Sequence, residues 1–335
     1  GGRFPTNPLF YPFHFSPKNF ILVLQSRCLS DQREAPSSAL MDPDRLNSPD
    51  TSTIAVEVLG HQLQFSQDPN SKHLGSTVWD ASMVFVKFLE KNSRKGRYCP
   101  LKLKGKRVVE LGAGCGVAGF GMALLGCNVI STDQKEVLPL LRRNVERNTS
   151  RIMQMNPNSD SFGSIKVLEL DWGDEANIQA AGPPFDYIIG TDVVYAENLL
   201  EPLLHTIIKL SGPKTAILLG YEIRSTGVHE QMLEMWKKYF EVKVVPKAKM
   251  DATYQHASIQ LFVMGFKPEG RTGKPSVDYE KDDSSISNSV EDDLDDPGPG
   301  RDKILEELRN GKLTDWETRR YGSMAARLLR DIKMN

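Results

Sequence analysis

Cysteine is scarce in this chain. Cys28, Cys99, Cys115 and Cys127 are the four among 335 residues, and no two form a Cys-x-x-Cys pair. That excludes a zinc ribbon or a disulfide framework and points to a reducing compartment. Long apolar runs are missing too. Crossing a bilayer takes roughly 20 apolar residues, and the N-terminal stretch FILVL at 20–24 falls far short. The six histidines include no pair at metal-ligand spacing, so no metal is expected. Charge of one sign is lacking as well: 42 basic residues against 43 acidic ones leave a net charge of −1. Such a balance gives no overall pull toward nucleic acid or an anionic membrane. A monomer is expected, in the cytoplasm, with the nucleus as a second compartment.

Both ends lack the patterning of a packed core. Residues 1–50 are rich in Phe, Pro and Ser without sustained periodicity, and the first methionine is Met41. They read as a disordered tail, or as sequence upstream of a start at Met41. A targeting peptide is disfavoured, because no amphipathic arginine-bearing helix can be drawn there. Residues 268–300 read as an acidic linker: Asp278 to Asp296 hold nine acidic residues and one basic, followed by PGPG. Such composition cannot bury enough apolar surface to fold. In 301–335, Ile304, Leu305 and Leu308, then Met324, Leu328, Leu329 and Ile332, recur at helical spacing, which predicts a helical extension.

Residues 51–267 carry the ordered pattern. Alternation across 53–67 around Gly60 predicts a β-hairpin, and 77–90 has helical apolar spacing. Then come strand 107–111, helix 116–126, strand 128–133 and helix 136–148. Strand 164–172, strand 185–195 running into a loop, helix 197–210, strand 215–222 and helix 227–239 follow. Strands 240–245 and 257–266 close the pattern with no helix between them, so they should pair antiparallel. Alternating helices and continuously apolar strands indicate an α/β fold, a mostly parallel sheet covered on both faces.

VVELGAGCGVAG at 108–119 leaves the first parallel strand and opens a helix, the position where such sheets bind ligands. Its glycines are Gly112, Gly114 and Gly116. A nicotinamide fingerprint needs the third glycine at 117, where Val117 stands, and no Gly-Lys-Ser/Thr of a phosphate loop follows. Asp133 closes the next strand, where a carboxylate can accept hydrogen bonds from ribose hydroxyls. A nucleoside without a demanding pyrophosphate fits both features, and S-adenosylmethionine is one.

Glu110-x-Gly112-x-Gly114-x-Gly116 followed by Asp133 resembles the signature of the seven-strand S-adenosylmethionine-dependent methyltransferases, a Rossmann-like fold. VWDAS at 78–82, LDW at 170–172, GTDVVY at 190–195 and Asn144 extend the likeness over roughly 53–266. Together they resemble methyltransferase family 16, the protein-lysine methyltransferases with an Asp-x-x-Tyr motif, and within it the branch that methylates Hsp70-type chaperones. The resemblance implies S-adenosyl-L-methionine as cofactor and a protein substrate, with a molecular chaperone as the specific expectation. It implies that Trp79, Glu110, Gly112, Ala113 and Gly114 contact the methionine moiety and adenosine, and that Asp133 holds the ribose. Trp172 would lie near the adenine with Thr191 lining the same pocket, while Asp192 and Tyr195 would face the incoming lysine. Cys115 departs from the family, where threonine or serine is usual.

Each residue also has a plainer use. Trp79 could be core, Trp172 could close the sheet end, Asp192 could cap a helix, and Tyr195 could be a surface tyrosine. Three alternatives in function stay open: a methyltransferase acting on RNA, one acting on a small molecule, or a cofactor-binding scaffold without catalysis. Enzymes that methylate planar nitrogens carry Asn/Asp-Pro-Pro-Tyr where this chain has Asp192-Val193-Val194-Tyr195. A basic stripe interleaved with aromatics, which RNA or DNA binding would want, is not legible in the core.

Overall fold

The computed structural model describes residues 52–155, 161–267, 314 and 316–320. A hairpin comes first, β1 (Ser52–Val58) and β2 (His61–Gln67), paired antiparallel from Ser52↔Gln67 to Val58↔His61. Both turn residues, Leu59 and Gly60, have positive φ, the twist that two-residue hairpins favour. Helix α1 (Asp80–Asn92) and a single helical turn α2 (Pro100–Leu103) lead into the alternating part. There follow β3 (Arg107–Leu111), α3 (Val117–Leu124), β4 (Asn128–Asp133), α4 (Leu138–Met155) and β5 (Ser164–Glu169). The rest is α5 (Glu175–Ala181), β6 (Phe185–Thr191), α6 (Leu200–Leu210), β7 (Ser211–Glu222), α7 (Thr226–Trp236), β8 (Phe240–Val244) and β9 (Ile259–Phe266).

The seven-stranded sheet has the order β5-β4-β3-β6-β7-β9-β8. Neighbours from β5 through β7 are parallel, and β9 is antiparallel to both β7 and β8. Chain order runs outward from β3 to β5 and then returns to β6 on the other side. Right-handed crossovers therefore put α3 and α4 on one face and α5 and α6 on the other. The reversal opens a crevice at the carboxyl ends of β3, β4 and β6, where open α/β sheets bind their ligands.

Packing explains the element choices. β3 is buried from Val108 to Leu111, as a central strand covered on both faces must be. α1 buries Asp80 through Leu89 without interruption, because it is held among α3, the hairpin and the β7–β9 side of the sheet. Gly121 lets α3 approach it: a Cβ there would stand 3.0 Å from Val86 and 3.1 Å from Leu89. On the other face, Leu200, Leu203, Leu204, Ile207 and Leu210 form the inward stripe of α6, packed with Ile178, Trp236 and Phe240. Each such side chain contributes ~1.5–3 kcal/mol relative to leaving it exposed.

Several boundaries differ from the sequence expectation. α4 runs on to Met155, since Ile152 continues its buried stripe. β5 stops at Glu169; the Leu170 N–H still donates to the Asp133 carbonyl at 3.0 Å as the last rung of the β4–β5 ladder, and Asp171-Trp172 then leaves the sheet. β7 starts at Ser211, and its register against β6 shifts between Phe185 and Tyr187.

All these elements belong to one unit, within residues 41–285. The other unit is described only at residue 314 and at 316–320, which are helical, with Trp316 and Arg320 buried. The expected N-terminal tail, the acidic linker and the rest of the C-terminal extension lie outside the described residues. Among the described residues no helix is long and apolar enough to cross a membrane.

Candidate active site

The glycine loop turns the chain out of β3 and into α3. Gly112, Gly114 and Gly116 take φ of 58°, 55° and 90°, a region in which a Cβ is strained. At Gly114 the space is closed as well, because a Cβ would stand 2.9 Å from the Gly75 carbonyl oxygen. The loop is tied to β4 by its backbone. The Ala113 N–H donates to the Thr132 carbonyl at 2.9 Å, and the Gly114 N–H donates to Asp133 Oδ2 at 2.7 Å.

Asp133 thus receives the loop on one oxygen, while its Oδ1 accepts the Gln134 N–H at 2.8 Å. Each oxygen keeps a lone pair for another donor. Burial pushes its carboxyl up to about 6; the Gly114 and Gln134 N–H groups hold it down, and Asp171 adds a further upward push.

Asp192 sits where β6 leaves the sheet, at φ 56°. A non-glycine residue in this region costs on the order of 1–3 kcal/mol and persists only when its surroundings hold it there. Here they do. The Asp192 N–H donates to the Gly220 carbonyl at 2.7 Å. Its Oδ1 accepts the Glu222 N–H at 3.0 Å and pairs with Arg224 Nη1 at 3.1 Å; its Oδ2 accepts the Ala81 N–H at 3.3 Å. Burial pushes the carboxyl up, and Arg224 and the Glu222 N–H pull it down. The acid therefore joins the ends of β6 and β7 to the start of α1, with one Oδ2 lone pair left over.

These elements enclose a cavity of about 650 Å³, within the usual range for small-molecule sites. Trp79, Gly112, Ala113, Gly114, Asp133, Trp172, Thr191, Asp192 and Tyr195 all line it. Burial raises the Tyr195 hydroxyl, and the Asp133 charge adds to that rise. Both ends of the expected set therefore share one space.

Glu110 is the exception: contrary to the expectation from sequence, it does not line the cavity. Its side chain points into the interface of β3, β4 and α3, 1% exposed. There it accepts the Gly119 N–H at 2.9 Å and the Ser131 hydroxyl at 2.5 Å. Alternation along β3 dictates this, because Glu110 is inside the strand and the glycine turn begins after Leu111. A Cβ on Gly119 would collide with this carboxylate and with Ser131, so the glycine at 119 serves the brace rather than a ligand.

Sequence reasoning missed part of the site. Gly75 and its neighbours between β2 and α1 cross the glycine loop and line the cavity. The Asp68 N–H donating to the Ser76 carbonyl at 2.7 Å and Trp79 Nε1 donating to the Leu74 carbonyl at 2.9 Å fold this segment on itself. Asp171 and Arg224 also line the cavity. Asp171 belongs to the LDW motif, which is its sequence signal. Arg224 carried no signal, since a lone arginine after a strand is ordinary. Asn144 was singled out, and its use is structural. Its Oδ1 accepts the Ser66 N–H at 2.8 Å; its Nδ2 donates to the carbonyls of Ser66 at 3.0 Å and Cys115 at 3.2 Å. One turn on, Asn148 pairs with both backbone groups of Gln64 in the same way. α4 thereby takes the place of a third strand on the edge of β2 and steadies the loop from behind.

The family model described as lysine methyltransferase matches residues 58–239. Protein N-lysine methyltransferase METTL21A of Danio rerio is 35% identical over 194 residues, covering 58% of this chain and 81% of that one. EEF1A lysine methyltransferase 3 of Xenopus tropicalis is 30% identical over 177 residues, covering 52% and 70%. Among solved structures, the T. thermophilus 16S rRNA N2 G1207 methyltransferase (RsmC) in complex with AdoMet and guanosine superposes with a TM-score of 0.44. It is 18% identical, covering 65% of this chain and 51% of that one, a likeness that carries no argument about the site. The match over 58–239 spans the hairpin's end, the glycine loop, Asp133 and the Asp192–Tyr195 stretch. The chain belongs to the lysine methyltransferase family.

Proposed function

We propose that this protein transfers methyl groups from S-adenosyl-L-methionine to the ε-amine of a lysine in a protein substrate. The observation that carries the reading is the shared cavity, in which the glycine loop and Asp133 meet Asp192 and Tyr195. The lining chemistry fits a sulfonium nucleoside. Asp133 and Asp171 are carboxylates, and Trp79 and Trp172 offer aromatic faces; acids and aromatics suit a cation. Asp133 keeps lone pairs for ribose hydroxyls, and Gly112 and Gly114 bring backbone close beside them. The cofactor supplies a methyl on a positively charged sulfur, which leaves as a neutral thioether.

The chain's own work is therefore on the nucleophile. A free lysine has a pKa near ~10.4, and only its neutral amine can attack. Burial disfavours the ammonium form, and holding nitrogen, methyl carbon and sulfur in line lowers the barrier by orientation. Asp192, fixed from three sides, uses its remaining lone pair to aim the amine, and the proton leaves to solvent before attack. Tyr195 walls the opening. An Hsp70-type chaperone is the proposed acceptor, on the strength of the sequence resemblance. The proposed setting is a reducing compartment, the cytoplasm or the nucleus, which the free thiols of Cys99, Cys115 and Cys127 support, and the proposed state is a monomer.

Incubation with tritiated S-adenosylmethionine and a cytosolic lysate tests this reading. Label in a protein band is expected. Label in RNA or small molecules overturns the acceptor, and cofactor binding without label makes the chain a scaffold. Asp192→Asn should keep cofactor Kd within a few-fold while lowering transfer on the order of 10²-fold through misorientation of the amine.

A further inference from the structure

Asp192 does not face the cavity as a bare acid. Arg224 lies between it and Glu222, with Nη1 3.1 Å from Asp192 Oδ1 and Nη2 3.2 Å from Glu222 Oε2. The guanidinium also lies over the Trp79 ring, 5.1 Å from its centroid. Both carboxylates are buried, with side chains 3% and 8% exposed. Two buried acids and an aromatic face make a site for a cation, and the chain fills it with its own.

This matters for an amine acceptor. A pair of uncompensated carboxylates beside the channel would hold the incoming lysine as ammonium, the form that cannot attack. A nearby like charge or counter-charge at this range moves a titration by about 1–3 pH units. We propose, resting on the methyltransferase reading above, that Arg224 is a positioning residue that cancels carboxylate charge at Asp192 so that the acceptor lysine enters as free amine. Arginine suits the task. It stays charged across the whole range in which a lysine titrates, and its fork engages two carboxylates at once. In the transfer the amine lone pair forms the N–C bond, the C–S pair stays on sulfur, and the amine's excess proton goes to water.

Other ionisable groups surround the acid. Asp80 precedes Ala81 at the start of α1, and Tyr195 is on the acid's own loop. Asp133, Asp171, Lys72 and His73 line the same cavity. Among the described residues, Arg224 is the cation paired with Asp192 within 4.0 Å, so a change at 224 alters the acid's compensation and leaves those groups in place.

The test is the pH profile of tritium transfer from S-adenosylmethionine to lysate protein, run on the full chain between about pH 6.5 and 10. For each variant, calorimetry with S-adenosylhomocysteine and a thermal melt verify cofactor loading and folding. In Arg224→Gln the rise with pH of kcat, which reports groups in the enzyme–substrate complex and is read at saturating lysate protein, should move up by about one unit; Arg224→Lys should bring it back toward the parent. Glu222→Gln should move it down, and reads the same balance if Arg224→Gln does not fold. A lower rate with an unmoved profile in both neutral variants overturns the proposal alone. Absence of protein labelling by the parent chain overturns the methyltransferase reading with it.

Discussion

Asp133 Oδ2 accepts the Gly114 N–H at 2.7 Å, so the acid at the end of β4 holds the loop at the end of β3. The two most legible features of the sequence are thus one object. The same carboxylate that positions the loop lines the cavity with its other lone pairs.

Asp133→Ala should therefore damage binding more than folding. It deletes a proposed ribose acceptor and releases the Gly114 N–H, which costs about 1–3 kcal/mol if that donor stays buried and unpaired. Calorimetry with S-adenosylhomocysteine should show at least a tenfold loss of affinity. Unchanged affinity would remove Asp133 from the proposed site.

Gly114→Ala combines strained φ with a collision against the Gly75 carbonyl, which is backbone and cannot swing aside. Gly96 has a comparable φ of 77° but open space around it. Alanine at 96 should cost about 1 kcal/mol from conformation alone. Alanine at 114 should cost more and displace the segment around Gly75. Paired melting curves decide this; equal losses would mean the crossing segment yields freely.

Glu110 gives the protein a pH signature. Burial first of all lifts its carboxyl from 4.5 to about 7, against the pull of Ser131 and the Gly119 N–H. The folded state therefore binds this proton more tightly than the unfolded one. The resulting contribution to stability is complete below about 4.5 and is lost as pH rises through about 7. Glu110→Gln keeps an acceptor for Gly119 and a partner for Ser131 but cannot ionise. It should be the more stable form at pH 8, by on the order of a few kcal/mol, and the difference should shrink toward pH 5. Denaturant titrations across that range check the sign.

Asn144→Ala leaves both backbone groups of Ser66 without their partner, at a site where Asn144 is fully buried. The expected loss is roughly 2–4 kcal/mol. Hydrogen exchange should show the amides of β2 opening before those of β3 and β4. Uniform exchange across all three would mean that the hairpin does not depend on the amide.

Local pattern made much of this molecule readable, and the reasons differ by element. Continuous apolar strands joined by helices leave few arrangements, so the parallel sheet and the antiparallel end pair at β8 and β9 followed from periodicity. Glycines at 112, 114 and 116 with an acid ending the next strand are close in sequence, and their geometry is set by one β-α-β unit. Boundaries were less readable where a side chain finds its partner far along the chain. Glu110 turns from a ligand contact into a brace only because Ser131 and Gly119 stand opposite it.

What the sequence determined by itself was the set of short-range commitments: which stretches are strands, where the backbone must take positive φ, and which acid follows the loop. Tertiary structure alone decided the environment of Asp192. Ala81, Glu222 and Arg224 come from segments up to 111 positions away, and no spacing rule connects them. Whether a carboxylate is bare or already paired depends on what the fold places within a few ångströms, because Coulomb attraction and hydrogen bonding act over distance in space and take no account of separation along the chain.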